Sequence, residues 1–296
     1  MRTSFLSAED LSADASDQSE QIVRVLGWQA RVCAPQATLA QLRSLVPQPA
    51  ADRVAGAPAL TIAVTPDAPM GFRVIVSGQP ENWHVAEDEL PLLLTNLITT
   101  AALEGLAADY LLFHAGALAW RDQGLLLPAA SGSGKTTLVG ALLATGWRVG
   151  SDEVGAIERH SGRLVAFPRS LNVKAGGRAA LAHLFPELAA AVPWPLGAEQ
   201  TWPLRPAGNA WLTSAVPVRH IVFPKYTPGE RSTLHPLTRA EALAHLLPLE
   251  FNAQQLGGAG IDECIQLVRD ADCYRLTISD LADAVTLLQR LVEGRE

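Results

Sequence analysis

The stretch "GLLLPAASGSGKTTLVGALLATG", residues 124–146, constrains this chain more than any other. An apolar run ending at Pro128 reads as a buried strand, "SGSGKTT" as a glycine-rich loop, and "TTLVGALLATG" as a helix closed by Gly146. Such a loop wraps backbone N–H groups around a phosphate chain, with the helix N-terminus aimed at it and a lysine reaching the outer oxygens. Ala130, Ser131, Gly132, Ser133, Gly134, Lys135, Thr136 and Thr137 are the candidate phosphate-binding residues, and the Thr136 hydroxyl is placed to meet Mg²⁺. The P-loop pattern asks for one more glycine, where Ala129 stands; alanine suits that slot if its φ is negative. The chain has three lysines and twenty arginines, so Lys135 is not a by-product of lysine-rich composition.

A phosphate loop serves switches, transporters and kinases alike, so the neighbours must discriminate. No Asn-Lys-x-Asp guanine-reading motif and no "LSGGQ"-like signature occurs. Seventeen residues after Lys135, "GWRVGSDEV" ends a strand-like run on two acids, Asp152 and Glu153. One carboxylate there can hold Mg²⁺ through water while its neighbour takes a proton from an attacking hydroxyl. Asp152 is the first choice as base, with Glu153 near the metal; the two roles stay exchangeable. His114, in "FHAGAL" on the strand before the loop strand, is either a core histidine or a partner of the acids.

Composition narrows the class further. A net charge of −7 and a pI near 5.5 supply no basic field for nucleic acid or anionic lipid. Cys33, Cys264 and Cys273 lack metal-ligand spacing and imply no disulfide framework, which fits a reducing cytoplasm. The most apolar stretch, residues 90–120, is broken by Glu104, Asp109 and His114 and reads as a buried helix and strand, not a membrane span.

Along the chain, residues 1–20 read as a flexible leader and 21–108 as a small N-terminal α/β module: a strand over 22–34, a helix over 38–46, two strands around Pro69 and Gly71, and a long apolar helix. Residues 109–296 read as one P-loop domain closed by strand "RHIVFPKYTPGE" and two amphipathic helices. Residues 193–217 hold five prolines and three tryptophans without period, and read as a lid, a partner-binding loop or an Ω-like loop packed on the core.

His114, the P-loop with Lys135 and Thr136, "GWR" at 146–148, and the Asp152–Glu153 pair stand in the order and spacing of bacterial HPr kinase/phosphorylase, which the chain resembles over about residues 110–290. More closely, the whole chain resembles the HPr-kinase-related proteins of ribosomal-peptide and lasso-peptide gene clusters. The resemblance implies an α/β fold with a P-loop kinase core of the HPr kinase catalytic-domain type. It also implies ATP and Mg²⁺, a peptide or small-protein hydroxyl as acceptor, and His114 beside Asp152. Where the resembling family carries a glycine-rich acidic signature tied to phosphorolysis, this chain has "FPRSLNVKAGG". Arg169 and Lys174 there suit stabilising charge in forward transfer, or else the segment is an edge strand facing water. A nucleotide-gated binding module and a small-molecule kinase remain as alternatives, and a homo-oligomer is left open.

Overall fold

A computed structural model describes residues 18–47, 56–69, 71–197 and 199–294 of the chain. Residues 1–17 of the expected leader, and most of the Pro/Ala-rich connection before Leu60, lie outside the described residues. The chain is mixed α/β and divides into two units, one ending at Gly105 and taking in Trp194–Glu199, the other formed by Leu106–Pro193 and the chain from Gln200 on.

In the first unit, β1 (Gln18–Val25) and β2 (Trp28–Pro35) form an antiparallel hairpin where a single strand over 22–34 was expected. The break is the pair Leu26–Gly27, both at positive φ, the turn geometry that matches strand twist. Gln18, Ser19 and Glu20, expected in the leader, pair with Cys33–Pro35 and so belong to β1. Helix α1 (Gln36–Leu45) carries the chain to β3 (Leu60–Asp67), parallel to β2, and β4 (Gly71–Val76) and β5 (Asn82–Val85) extend the sheet antiparallel. Ala30, Val32 and Ala34 of β2 are buried in alternation, whereas Ile62, Ala63, Val64 and Thr65 of β3 are buried on both faces, and Leu39, Leu42 and Leu45 of α1 are buried as well. Helix α2 (Leu90–Leu106) ends this part of the chain.

The second unit is built on β6 (Tyr110–Trp120) and β7 (Gln123–Pro128), an antiparallel pair turned at Arg121. Helix α3 (Lys135–Ala144) follows, then β8 (Arg148–Ser151), β9 (Val154–Glu158) and β10 (Arg163–Val165). Next come β11 (Leu171–Lys174), α4 (Ala175–Leu181) and α5 (Pro186–Ala190); the chain then passes through β12 (Trp194–Leu196), counted with the first unit, to β13 (Glu199–Leu204). The chain closes with β14 (Val216–Tyr226), β15 (Thr233–Pro236), α6 (Arg239–Leu246), α7 (Ala253–Asp270), β16 (Asp272–Ile278) and α8 (Leu281–Glu293).

The main sheet runs β10-β9-β6-β7-β14-β16-β15, with β8 also on β6 and β10 also on β14. Strands β7, β14 and β16 are parallel. Period-two alternation divides the core: Leu125 and Leu127 pack with Leu138 and Leu142 of α3 and Leu288 of α8, while Leu126 packs with Ile221, Leu246 and Leu267 on the opposite face. No helix among the described residues is long and apolar enough to cross a membrane.

The segment 193–217 is not an aperiodic loop. Thr201, Trp202 and Leu204 are buried, β13 pairs with β11, and Trp202 donates its indole N–H to Ala191 O at 3.2 Å while Arg178 lies over its ring. Further on, Leu212 N bonds Val149 O at 2.9 Å, so this stretch too is tied to the sheet.

Candidate functional site

The loop begins where β7 leaves the sheet. Ala129 N donates to His114 O at 3.2 Å, the last tie between β7 and β6. Gly132 and Gly134 take φ of 83° and 88°, where a side chain would be strained, whereas Ala129 is not among the positive-φ residues. A methyl at the first loop position is therefore accommodated, and the departure from the glycine pattern is harmless. Lys135 opens α3, is 5% exposed, and donates from Nζ to Ala129 O at 3.1 Å, so its ammonium lies across the loop. Two features leave polar groups unsatisfied: no side chain caps α3, and the Ser133 hydroxyl is buried without a hydrogen-bond partner. An anion in the loop would satisfy both.

The acids sit at a bend between β8 and β9. Ser151 makes that bend, its hydroxyl accepting from Glu153 N at 3.2 Å and Val154 N at 3.1 Å. β6 holds one register across it, with Ala117 opposite Ser151, His114 opposite Val154, and Ala115 N bonded to Glu153 O at 3.2 Å. Asp152 is 2% exposed, and its Oδ2 accepts from the Thr136 hydroxyl at 2.9 Å. Burial pushes the Asp152 carboxyl up, Arg169 pulls it back down, Glu153 adds to the rise, and the Thr136 bond and Lys135 oppose it. Burial brings the Lys135 ammonium down to about 8 although Glu153 and Asp152 both favour its charge.

His114 corrects one expectation. Its Nε2 lies 3.4 Å from Glu153 Oε1, not against Asp152, because the strand register sets His114 opposite the residue after Glu153. Burial and the Lys135 charge hold the imidazole below its ordinary value against the pull of Glu153. Glu153, with a side chain 41% exposed, is the carboxylate an incoming group can reach. Arg169 does not face water: it is 7% exposed and acts on Asp152. Lys174 is exposed at the junction of β11 and α4.

No family model matches this sequence, and no curated protein matches it.

Three residues that sequence reasoning passed over shape it. Ser151 stood beside the acids as a local turn-former, a readable signal. Asn252 had none: its Oδ1 accepts from Leu112 N at 3.1 Å and its Nδ2 donates to Ala107 O at 3.0 Å and Tyr110 O at 2.7 Å, all far away in sequence. It fixes the start of β6, and the neighbouring Phe251 bonds Leu112 O through its N–H at 2.7 Å and lays its ring 5.9 Å from that of His114.

The donor set fits a polyphosphate and a hard cation. Glycine-loop N–H groups, Ser133 and Lys135 suit phosphate oxygens, and the Thr136 hydroxyl and Asp152 carboxylate are oxygen donors of the kind Mg²⁺ takes. Among the described residues no group of three His, Cys, Asp or Glu gathers to hold a metal by itself. A cation here would draw remaining ligands from water and phosphate, the usual manner of Mg²⁺.

Proposed function

We propose that this chain is an ATP- and Mg²⁺-dependent kinase that transfers the γ-phosphoryl group to a hydroxyl, serine on a peptide or small protein, and that the second unit is a P-loop kinase core of the HPr kinase catalytic-domain type. The observation that carries the reading is the division of labour between adjacent acids: Asp152 is buried on the P-loop threonine, while the Glu153 side chain is open to solvent beside His114, and both act on Lys135. A nucleotide-hydrolysing switch needs the first arrangement; an exposed proton acceptor next to the phosphate loop suits an alcohol substrate.

In this reading the loop N–H groups and Lys135 hold the outer phosphates. Thr136 and Asp152 would hold Mg²⁺, which would supply positive charge to offset that of the phosphate oxygens. Arg169 opposes the rise that burial imposes on the Asp152 carboxyl. The acceptor oxygen bonds to the γ-phosphorus as the bond to ADP breaks, and its proton passes to Glu153, which His114 holds in place. This exchanges the roles first given to the two acids.

The test is phosphate transfer from labelled ATP to candidate peptides, with the product located by mass spectrometry. Added phosphate on a side-chain hydroxyl is expected, with none returned to pyrophosphate when inorganic phosphate is supplied in excess. Label appearing on a sugar or nucleoside with every peptide untouched would move the protein to small-molecule phosphorylation, and slow hydrolysis without transfer would make it a nucleotide-gated module.

A further inference from the structure

The loop that leaves β14 touches the phosphate loop from the side opposite the acids. β7, β14 and β16 are parallel, so Pro128, Tyr226 and Ile278 end at the same edge of the sheet, the edge outside which open α/β sheets bind ligands. Tyr226 N donates to Ser133 O at 3.0 Å, and a Cβ built on Gly134 would lie 3.4 Å from the Tyr226 Cβ. The tyrosine therefore stands in van der Waals reach of the second loop glycine, yet its side chain is 53% exposed, one of few large apolar side chains left so open among the described residues. Its base is fixed: Thr227 N bonds Ile278 O at 2.7 Å, and the Ser232 hydroxyl accepts from Ser279 N at 3.1 Å and Asp280 N at 3.0 Å.

We infer that Tyr226 is the platform on which the nucleobase of the bound nucleotide stacks. The inference rests on the phosphate-site reading above. Asp152 and Glu153 reach the loop from the β6 side of β7, and Tyr226 from the β14 side. A nucleotide whose outer phosphates lie by the acids extends its nucleoside end across the loop to the other flank. There it meets an exposed aromatic ring held by main-chain bonds, and a purine offers a flat apolar face to such a ring.

The test compares calorimetric binding of ADP and of inorganic tripolyphosphate by the full chain, by Tyr226→Ala and by Tyr226→Phe. Loss of the ring should weaken ADP binding about ten-fold, the range of base–aromatic stacking, with tripolyphosphate binding unchanged and Tyr226→Phe close to the original. Unchanged ADP affinity in Tyr226→Ala would overturn the platform alone, and so would an equal loss for both ligands, which would make Tyr226 a shaper of the loop. An unsubstituted protein that binds neither ligand would overturn the phosphate-site reading and the platform together.

Discussion

Lys135 carries a charge that its surroundings disfavour, and two predictions follow from that at the residue scale. Lys135→Ala should lower phosphoryl transfer by about 10²-fold or more while circular dichroism stays unchanged, since the ammonium faces the loop and supports charge, not packing. The second concerns pH. The lysine attracts phosphate only while protonated, and burial places its midpoint at about 8, so polyphosphate affinity in the presence of a chelator should fall as pH rises through that value. Binding should also take up protons near pH 8, seen as a buffer-dependent heat; affinity that is flat between pH 7 and 9 would contradict the placement of Lys135. A third prediction separates the acids. Glu153→Gln should abolish transfer while leaving Mg²⁺-dependent nucleotide binding, whereas Asp152→Asn should weaken the Mg²⁺ dependence of binding itself. The opposite pattern would restore Asp152 as the base.

At the scale of elements, what could be read from the sequence divides by range. Strand, loop and helix from Gly124 to Gly146 were legible because each signal is local: an apolar run, two glycines at positive φ, a glycine after the last turn. The hairpin at Leu26–Gly27 was missed because leucine rarely takes the φ of 49° it has here. Helix α7 was hidden by "LGGAG" and by Gly257, whose backbone departs from helical geometry inside it. Strand β13 was hidden by Pro203, tolerated in a strand that pairs with β11 through its neighbours. Asn252 lies at the far end of this scale, for its three bonds join β6 to a segment about which local sequence is silent. Asn252→Ala should cost about 3 kcal/mol, because it leaves buried backbone groups of Ala107, Tyr110 and Leu112 unsatisfied. A urea midpoint unchanged by that substitution would mean the start of β6 is held by packing alone.

For the whole molecule the thiols give a test that touches neither nucleotide nor acceptor. Cys33, Cys264 and Cys273 are all free, with Cys264 and Cys273 buried and Cys33 partly open. Burial pushes the Cys273 thiol up to about 11, and burial with nearby Glu250 raises Cys264 further. A thiol reagent at pH 8 should therefore modify Cys33 well ahead of the other two, with all three reacting in denaturant, and reductant should leave the melting temperature unchanged. Rapid native labelling of Cys264 would mean the face of the main sheet under α7 opens readily.

The same sheet order has a consequence for how such a protein can diverge. β7 stands between the strand that bears His114 and the strand that ends in Tyr226, so that under the proposed function target choice and donor choice would fall to different stretches of chain. If the proposed phosphoryl transfer holds, mutations drifting in the Phe251 region or around the Ser151 bend would retune what is modified without disturbing what supplies the phosphoryl group, and a descendant would acquire a new client while keeping its fuel.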